Sequence, residues 1–145
     1  MAVYTNIDKQ LLESFLQNYD LGKLLNFEGI QEGVENTNYK IITSKDIYIL
    51  TIFEKRVNEH ELPFFIALQN HLSNKNIKCP KPIADQNEIY IKKIKNKPCV
   101  VMSFLSGQKI DIATPHHCYQ VGEQLAKIHQ QTTDFTLTRE NNLHQ

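Results

Sequence analysis

No stretch of this 145-residue chain approaches the roughly 18 consecutive apolar residues that a membrane-spanning helix needs. Nor does the segment from Met1 to Asn18 join a basic start to an apolar core, as a secretory leader would. An excess of charge is also missing, with 16 Lys and Arg against 16 Asp and Glu, so no net field draws in a polyanion and nucleic acid is not an expected partner. Cysteine is scarce. Cys79, Cys99 and Cys118 are odd in number, far apart and never arranged as C-x-x-C, which argues against a disulfide framework and against a zinc site. Internal repeats and low-complexity tracts are absent as well. These absences describe a cytoplasmic protein with reduced, mostly buried thiols and no membrane partner. What remains is 41% hydrophobic and 22% charged, the balance of a folded chain whose length allows one domain, or one small lobe with part of another.

Periodicity divides the chain into elements. Thr5-Asn6-Ile7-Asp8 fits a capping box, and Ile7, Leu11, Leu12, Phe15, Leu16 and Tyr19 follow at helical spacing, which predicts a helix over 6–19. Short β-prone runs come next, at 27–30, 38–43 and 47–53, with Ser44-Lys45-Asp46 as the turn between the last two. The run 47–53 is apolar on both faces, so it reads as a central strand covered from each side. Pro63 suits the first turn of a second helix, whose Phe64, Phe65, Leu68 and Leu72 form a stripe to cover the sheet. Cys79-Pro80-Lys81-Pro82 reads as a stiff connector, followed by strands at 88–94 and 99–105. Lys92, Lys93, Lys95 and Lys97 read as a solvated hairpin tip. Gly107 ends the last strand, and Thr114-Pro115 caps a final helix over 115–132 with Cys118, Val121, Leu125 and Ile128 on one face.

The expected fold class is therefore α+β: a five-stranded antiparallel sheet with one inserted helix, an N-terminal helix, and one helix beyond. Between the first two strands, Gly29 and Gly33 bracket a turn. Such a loop is either a tight β-turn or a place where backbone N–H groups approach phosphate oxygens without a Cβ in the way. Asn36 and Asn38 either add amide donors there or stabilise the turn.

Several runs resemble, in order, one family. Gly29-Ile30-Gln31-Glu32-Gly33-Val34-Glu35-Asn36-Thr37-Asn38 is similar to the nucleotide loop of the phosphotransferase-like type of homoserine kinase. So are Tyr48-Ile49-Leu50-Thr51 with Glu54-Lys55-Arg56, Leu62-Pro63-Phe64-Phe65, Phe104-Leu105 with Gly107, and Leu125-Ala126 with His129. The resemblance implies a kinase small lobe over 1–105, a linker over 102–112 and the start of a truncated second lobe over 113–145. It implies ATP and Mg²⁺ as cofactors and L-homoserine as the acceptor, in threonine biosynthesis. It assigns nucleotide contacts to Gly29, Gly33, Val34, Glu35, Asn36, Asn38, Thr51, Ser103, Phe104 and Leu105.

Thr51 stands where most kinases of this superfamily carry a phosphate-binding lysine, so Lys55 or Arg56 would supply that charge. Glu59 and Glu61 are the nearest acids and read as a solvated first turn. Phosphoryl transfer in this superfamily uses an H-x-D-x-x-x-x-N loop, and none of the histidines at 60, 71, 116, 117, 129 and 144 has an aspartate two residues on. No catalytic residue or metal ligand is therefore expected in this chain, which is expected to be inactive alone. Asp134-Phe135-Thr136 resembles the metal-binding D-F-G of protein kinases only superficially. The alternatives are a nucleotide-binding or interaction fragment, or a kinase for another small alcohol such as choline. The last helix, with Val121, Leu125 and Ile128 exposed, would either dock on the sheet or mediate self-association.

Overall fold

The run Ile47–Phe53 alternates as its composition requires, with Tyr48, Leu50 and Ile52 buried on one face and Ile47, Ile49, Thr51 and Phe53 half-buried on the other. It is the third strand, β3, in a computed structural model that describes residues 3–54 and 58–140. Before it come α1 (Lys9–Leu16), β1 (Leu24–Ile30) and β2 (Asn36–Thr43). After it come a 3-10 turn (Glu59–Glu61), α2 (Leu62–Asn74), β4 (Pro82–Ile83), β5 (Lys92–Ile94), β6 (Lys97–Ser103) and α3 (Pro115–Gln131). The strands run β1-β2-β3-β6-β4, all antiparallel, with β5 also paired to β6.

Each face of the sheet has its own core. Leu12, Phe15, Leu16, Tyr19 and Leu21 from α1 and its exit pack with Tyr39, Ile41, Tyr48, Leu50, Ile52, Cys99 and Val101. On the opposite face a smaller cluster holds Ile66 of α2 with Val100 and Met102, joined by half-buried Ile49 and Phe53. Most of the buried apolar residues thus lie on the α1 side, and the α2 side is only partly closed.

Several expectations from the sequence are corrected. The first helix starts at Lys9 and stops at Leu16, shorter than 6–19, and its cap is Asp8, whose carboxylate accepts from the Leu11 N–H at 2.8 Å. The Thr5 hydroxyl is engaged elsewhere, donating to Glu54 at 2.7 Å and accepting from the Lys97 ammonium at 2.7 Å. The sheet has a sixth strand, β4, inside what reads as a connector. Pro82 pairs with Met102 and Ile83 with Val101, at an edge where a residue without an N–H is tolerated. The strand expected at 88–94 shrinks to Lys92–Ile94, because the Asp85 carboxylate accepts from the N–H groups of Asn87 and Ile89, both at 2.9 Å, and curls the chain into a turn. The last strand ends at Ser103 instead of residue 105.

The stripe of α2 is also rotated. Leu62, Ile66 and Leu72 are buried, whereas Phe65 is 39% exposed. The helix follows a 3-10 turn capped by the Asn58 side chain, and Phe64 meets Phe135 beyond α3 while Phe65 sits at the edge of the cleft between α2 and the sheet. The lysine run is a hairpin tip with Lys93 and Lys95 exposed, as expected, but its side chains are all engaged. Lys92 pairs with buried Asp85 at 2.6 Å, Lys93 with Glu59 at 2.8 Å, Lys95 donates to the Asn6 carbonyl at 2.8 Å, and Lys97 pairs with Glu54. The hairpin is thereby tied to both the N-terminal segment and the approach to α2. Its two turn residues, Lys95 and Asn96, have φ of 49° and 62°, the left-handed geometry that matches the twist of a tight hairpin.

The final helix agrees with the sequence. The Thr114 hydroxyl accepts from the His117 N–H, and the His117 ring accepts from the Thr114 N–H at 3.1 Å, a reciprocal cap. It buries none of its residues, and Val121 and Leu125 are exposed. Of the three cysteines Cys99 is buried, Cys79 partly so and Cys118 exposed; burial pushes the Cys99 thiol up to about 12. No helix among the described residues is long and apolar enough to cross a membrane.

Candidate functional site

Register decides which side chains share the partly closed face. Ile30 lies opposite Asn38, Asn38 opposite Thr51, and Thr51 opposite Val100, so these four form one row across β1, β2, β3 and β6. The next row, toward the linker, is Glu28, Lys40, Ile49 and Met102. Alongside, α2 and the sheet enclose a cleft of about 270 Å³ lined by Thr51, Phe53, Leu62, Phe65, Ile66, Gln69, Val100 and Met102. The Thr51 hydroxyl donates to Asn38 Oδ1 at 2.8 Å, which orients the amide and, among the described residues, leaves both Asn38 N–H donors for another acceptor. Asn36, opposite Phe53 on the same face, has a buried side-chain oxygen with no hydrogen-bond partner among the described residues.

The turn at 31–35 closes one end of this face. Gly33 has φ of +111° with nothing within 4 Å of an added Cβ, so it is needed for its backbone conformation and not for space. Val34 and Glu35 are exposed on the turn, which the Tyr4 hydroxyl steadies by donating to the Val34 carbonyl at 3.1 Å. Gly33→Ala is expected to lower unfolding free energy by about 1–2 kcal/mol through strain alone. Urea titration would measure it, and an unchanged midpoint would show that the turn relaxes freely.

At the other end the chain leaves β6. The Phe104 N–H donates to the Ile47 carbonyl at 3.3 Å, and its ring lies 5.4 Å from the Lys40 ammonium, which is also 3.6 Å from Glu28. Leu105 is past the strand, and among the described residues its backbone N–H and C=O have no backbone partner.

The ten residues singled out from the sequence therefore separate. Asn36, Asn38 and Thr51 share the open face, with Phe104 at its linker end and Gly33, Val34 and Glu35 on the turn. Gly29 lies opposite Tyr39, on the α1 side, where a Cβ would come 2.8 Å from Val3 Cγ2, so its smallness admits the N-terminal segment. Ser103 pairs with Tyr48 on that same side, and its Oγ accepts from the Lys81 N–H at 2.8 Å, pinning β4. Lys55 and Arg56 lie outside the described residues. Ile30 stands in the nucleotide-loop motif and Met102 in the linker read from the sequence, whereas Lys40 and the α2 residues were given no site role there. Counting every second residue from Asn38 and Thr51 would have found Lys40 and Ile49, but the α2 contribution depends on helix phase.

Two acidic groups near the site are structural. Burial opposes the charge of Glu54, but hydrogen bonds from Lys97, Thr5 and Thr37 outweigh it and hold the carboxyl below its usual range. Glu54 thereby joins the N-terminal segment, β2, β3 and the β5–β6 hairpin. Glu61, expected to be a solvated acid, is instead paired with Arg139 at 2.9 Å. Among the described residues no group of three or more His, Cys, Asp or Glu side chains could hold a metal ion. The face thus combines apolar surface, neutral amide donors and unpaired linker backbone, a set suited to a ligand with a flat ring and oxygen acceptors.

Known proteins agree with this architecture. The chain is 43% identical over 143 residues to a homoserine kinase of Xanthobacter autotrophicus, and 46% identical over the same length to that of Hyphomonas neptunium. In each case 99% of the chain is covered, but it spans only 44% of the relative's length. A crystal structure of a spectinomycin phosphotransferase in complex with ADP and spectinomycin superposes with a TM-score of 0.70 at 16% identity, over 94% of this chain and 43% of that one. Residues 26–143 match the model of the phosphotransferase enzyme family. With that match covering most of its length, and with the antiparallel small-lobe sheet and inserted helix in place, the chain belongs to the phosphotransferase enzyme family.

Proposed function

We propose that the chain supplies the nucleotide-binding half of a kinase that transfers the γ-phosphate of ATP to the hydroxyl of L-homoserine, toward threonine. The observation that carries this reading is the 43% identity to homoserine kinases across 99% of the chain. Residues 1–105 are the nucleotide lobe, 102–112 the linker, and 113–145 the start of a second lobe. The base lies against Ile49 and Met102, with the Phe104 carbonyl and the backbone of Leu105 as its hydrogen-bonding edge. Asn38, held by Thr51, directs its amide donors at phosphate oxygens, and the Gly33 turn closes over them. Mg²⁺ and the acceptor hydroxyl are assigned to groups outside this chain, because its sequence carries no H-x-D-x-x-x-x-N loop.

Calorimetric titration tests the lobe assignment. The chain is expected to bind ATP and ADP, and Asn38→Ala to weaken both by about tenfold, the loss of roughly one charge-assisted hydrogen bond. Absence of any ATP binding would favour an interaction domain instead. In a coupled assay with ATP, Mg²⁺ and homoserine the chain alone is expected to give no turnover, and turnover would refute the assignment of the catalytic groups elsewhere.

A further inference from the structure

Helix α2 has few anchors on the sheet side. Leu62, Ile66 and Leu72 are its buried residues, and the cluster beneath it is small. Its other side is engaged by the segment that leaves α3. His71 Nε2 donates to the Gln131 carbonyl at 2.7 Å, and the Asp134 carboxylate lies 2.5 Å from Lys75 Nζ and 3.2 Å from His71 Nε2. The Phe135 ring meets Phe64 edge-on at 5.7 Å and His71 at 5.2 Å. Farther along, the Arg139 guanidinium donates to Glu61 Oε2 through Nε at 3.0 Å and Nη2 at 2.9 Å, and lies 5.1 Å from the Phe65 ring. The contacts run from the C-terminal cap of α2, Lys75, to its N-terminal cap, Glu61. Phe65 and Leu62, at the Arg139 end, line the cleft.

We propose that residues 131–139 are a strap that holds α2 down over the sheet face, so that the width of the cleft follows the strap. Each exposed ion pair contributes little alone. The aromatic contacts of Phe135 and the Arg139–Phe65 stack add to them along one helix, which packs over β3 and β6. The larger core lies on the opposite face, so α2 can lift while β1, β2, β3 and β6 stay folded, a local opening below the global one. Motion of the chain beyond α3 is then felt at Phe65 and Leu62. The strap does not require that nucleotide be the ligand.

Hydrogen exchange of the whole chain, without ligand, tests this with the double substitution Asp134→Asn and Phe135→Ala. Amides of α2 from Ile66 to Leu72 are expected to exchange about tenfold faster or more, while those of β2 and β3 keep their rates. Faster exchange confined to 131–139, or an equal acceleration in every element, would overturn the strap. The sheet amides are read in the same run, so a variant that fails to fold is recognised. Arg139→Gln then applies the milder test at the other end, where unchanged exchange around Phe65 would be the contrary result.

Discussion

Leu50→Ala is expected to lower the unfolding free energy by about 2–5 kcal/mol, the largest single effect in the chain. Leu50 has no exposed surface and sits on the central strand with Tyr39 opposite it on β2 and Val101 opposite it on β6. Its face is the one packed by α1, so three elements border the void and none can collapse into it without breaking strand pairing. Small domains are stable by about 5–15 kcal/mol in total, so the variant would stand near the edge of folding. The urea midpoint, read against an unchanged slope, measures the loss. A shift worth less than about 1 kcal/mol would show that the α1 core is looser than its burial indicates.

Glu54→Gln is expected to be the next largest, at about 2–3 kcal/mol, reduced from the value for a fully buried pair because Lys97 is partly exposed. The substitution keeps the shape but turns an amide N–H₂ toward the Lys97 ammonium. It also removes the charge that draws in the hydroxyls of Thr5 and Thr37. The pH dependence identifies the cause. The Glu54 carboxyl is held below its ordinary value of 4.5 in the folded chain, so its contribution is fully present above that value. It is lost as pH falls from there through the lowered folded value. The gap between the two proteins should therefore be widest near neutral pH and shrink on the acid side below about 4.5. A gap independent of pH would mean that packing, and not charge, makes Glu54 valuable.

Both effects concern the α1 side, and that side was the more legible from sequence. Tyr48, Leu50 and Ile52 announce a central strand because side chains alternate with a period of two and both sets are apolar. Thr114-Pro115 announces a helix start because a hydroxyl and a fixed φ act within one turn. The open face was legible only in part. Asn38 and Thr51 stand in ordered family motifs, but their hydrogen bond exists because β2 and β3 pair in one register. Gly29 was read as a phosphate-side glycine, whereas its missing Cβ faces Val3, a neighbour 26 positions earlier that no local pattern indicates.

The sequence by itself determined the family, the order of the elements apart from β4, the two-faced central strand and the turn at Gly33, because these follow from short periodicities, local backbone preference and motifs in sequence order. Tertiary structure alone decided which residue caps α1, which stripe of α2 meets the sheet, where the hairpin lysines go and that the chain beyond α3 returns along α2. The physical reason is reach. The Thr5 hydroxyl is taken by Glu54, 49 positions away, and by Lys97, 92 positions away, and a side chain that finds such distant partners is no longer available for the local role its neighbours suggest.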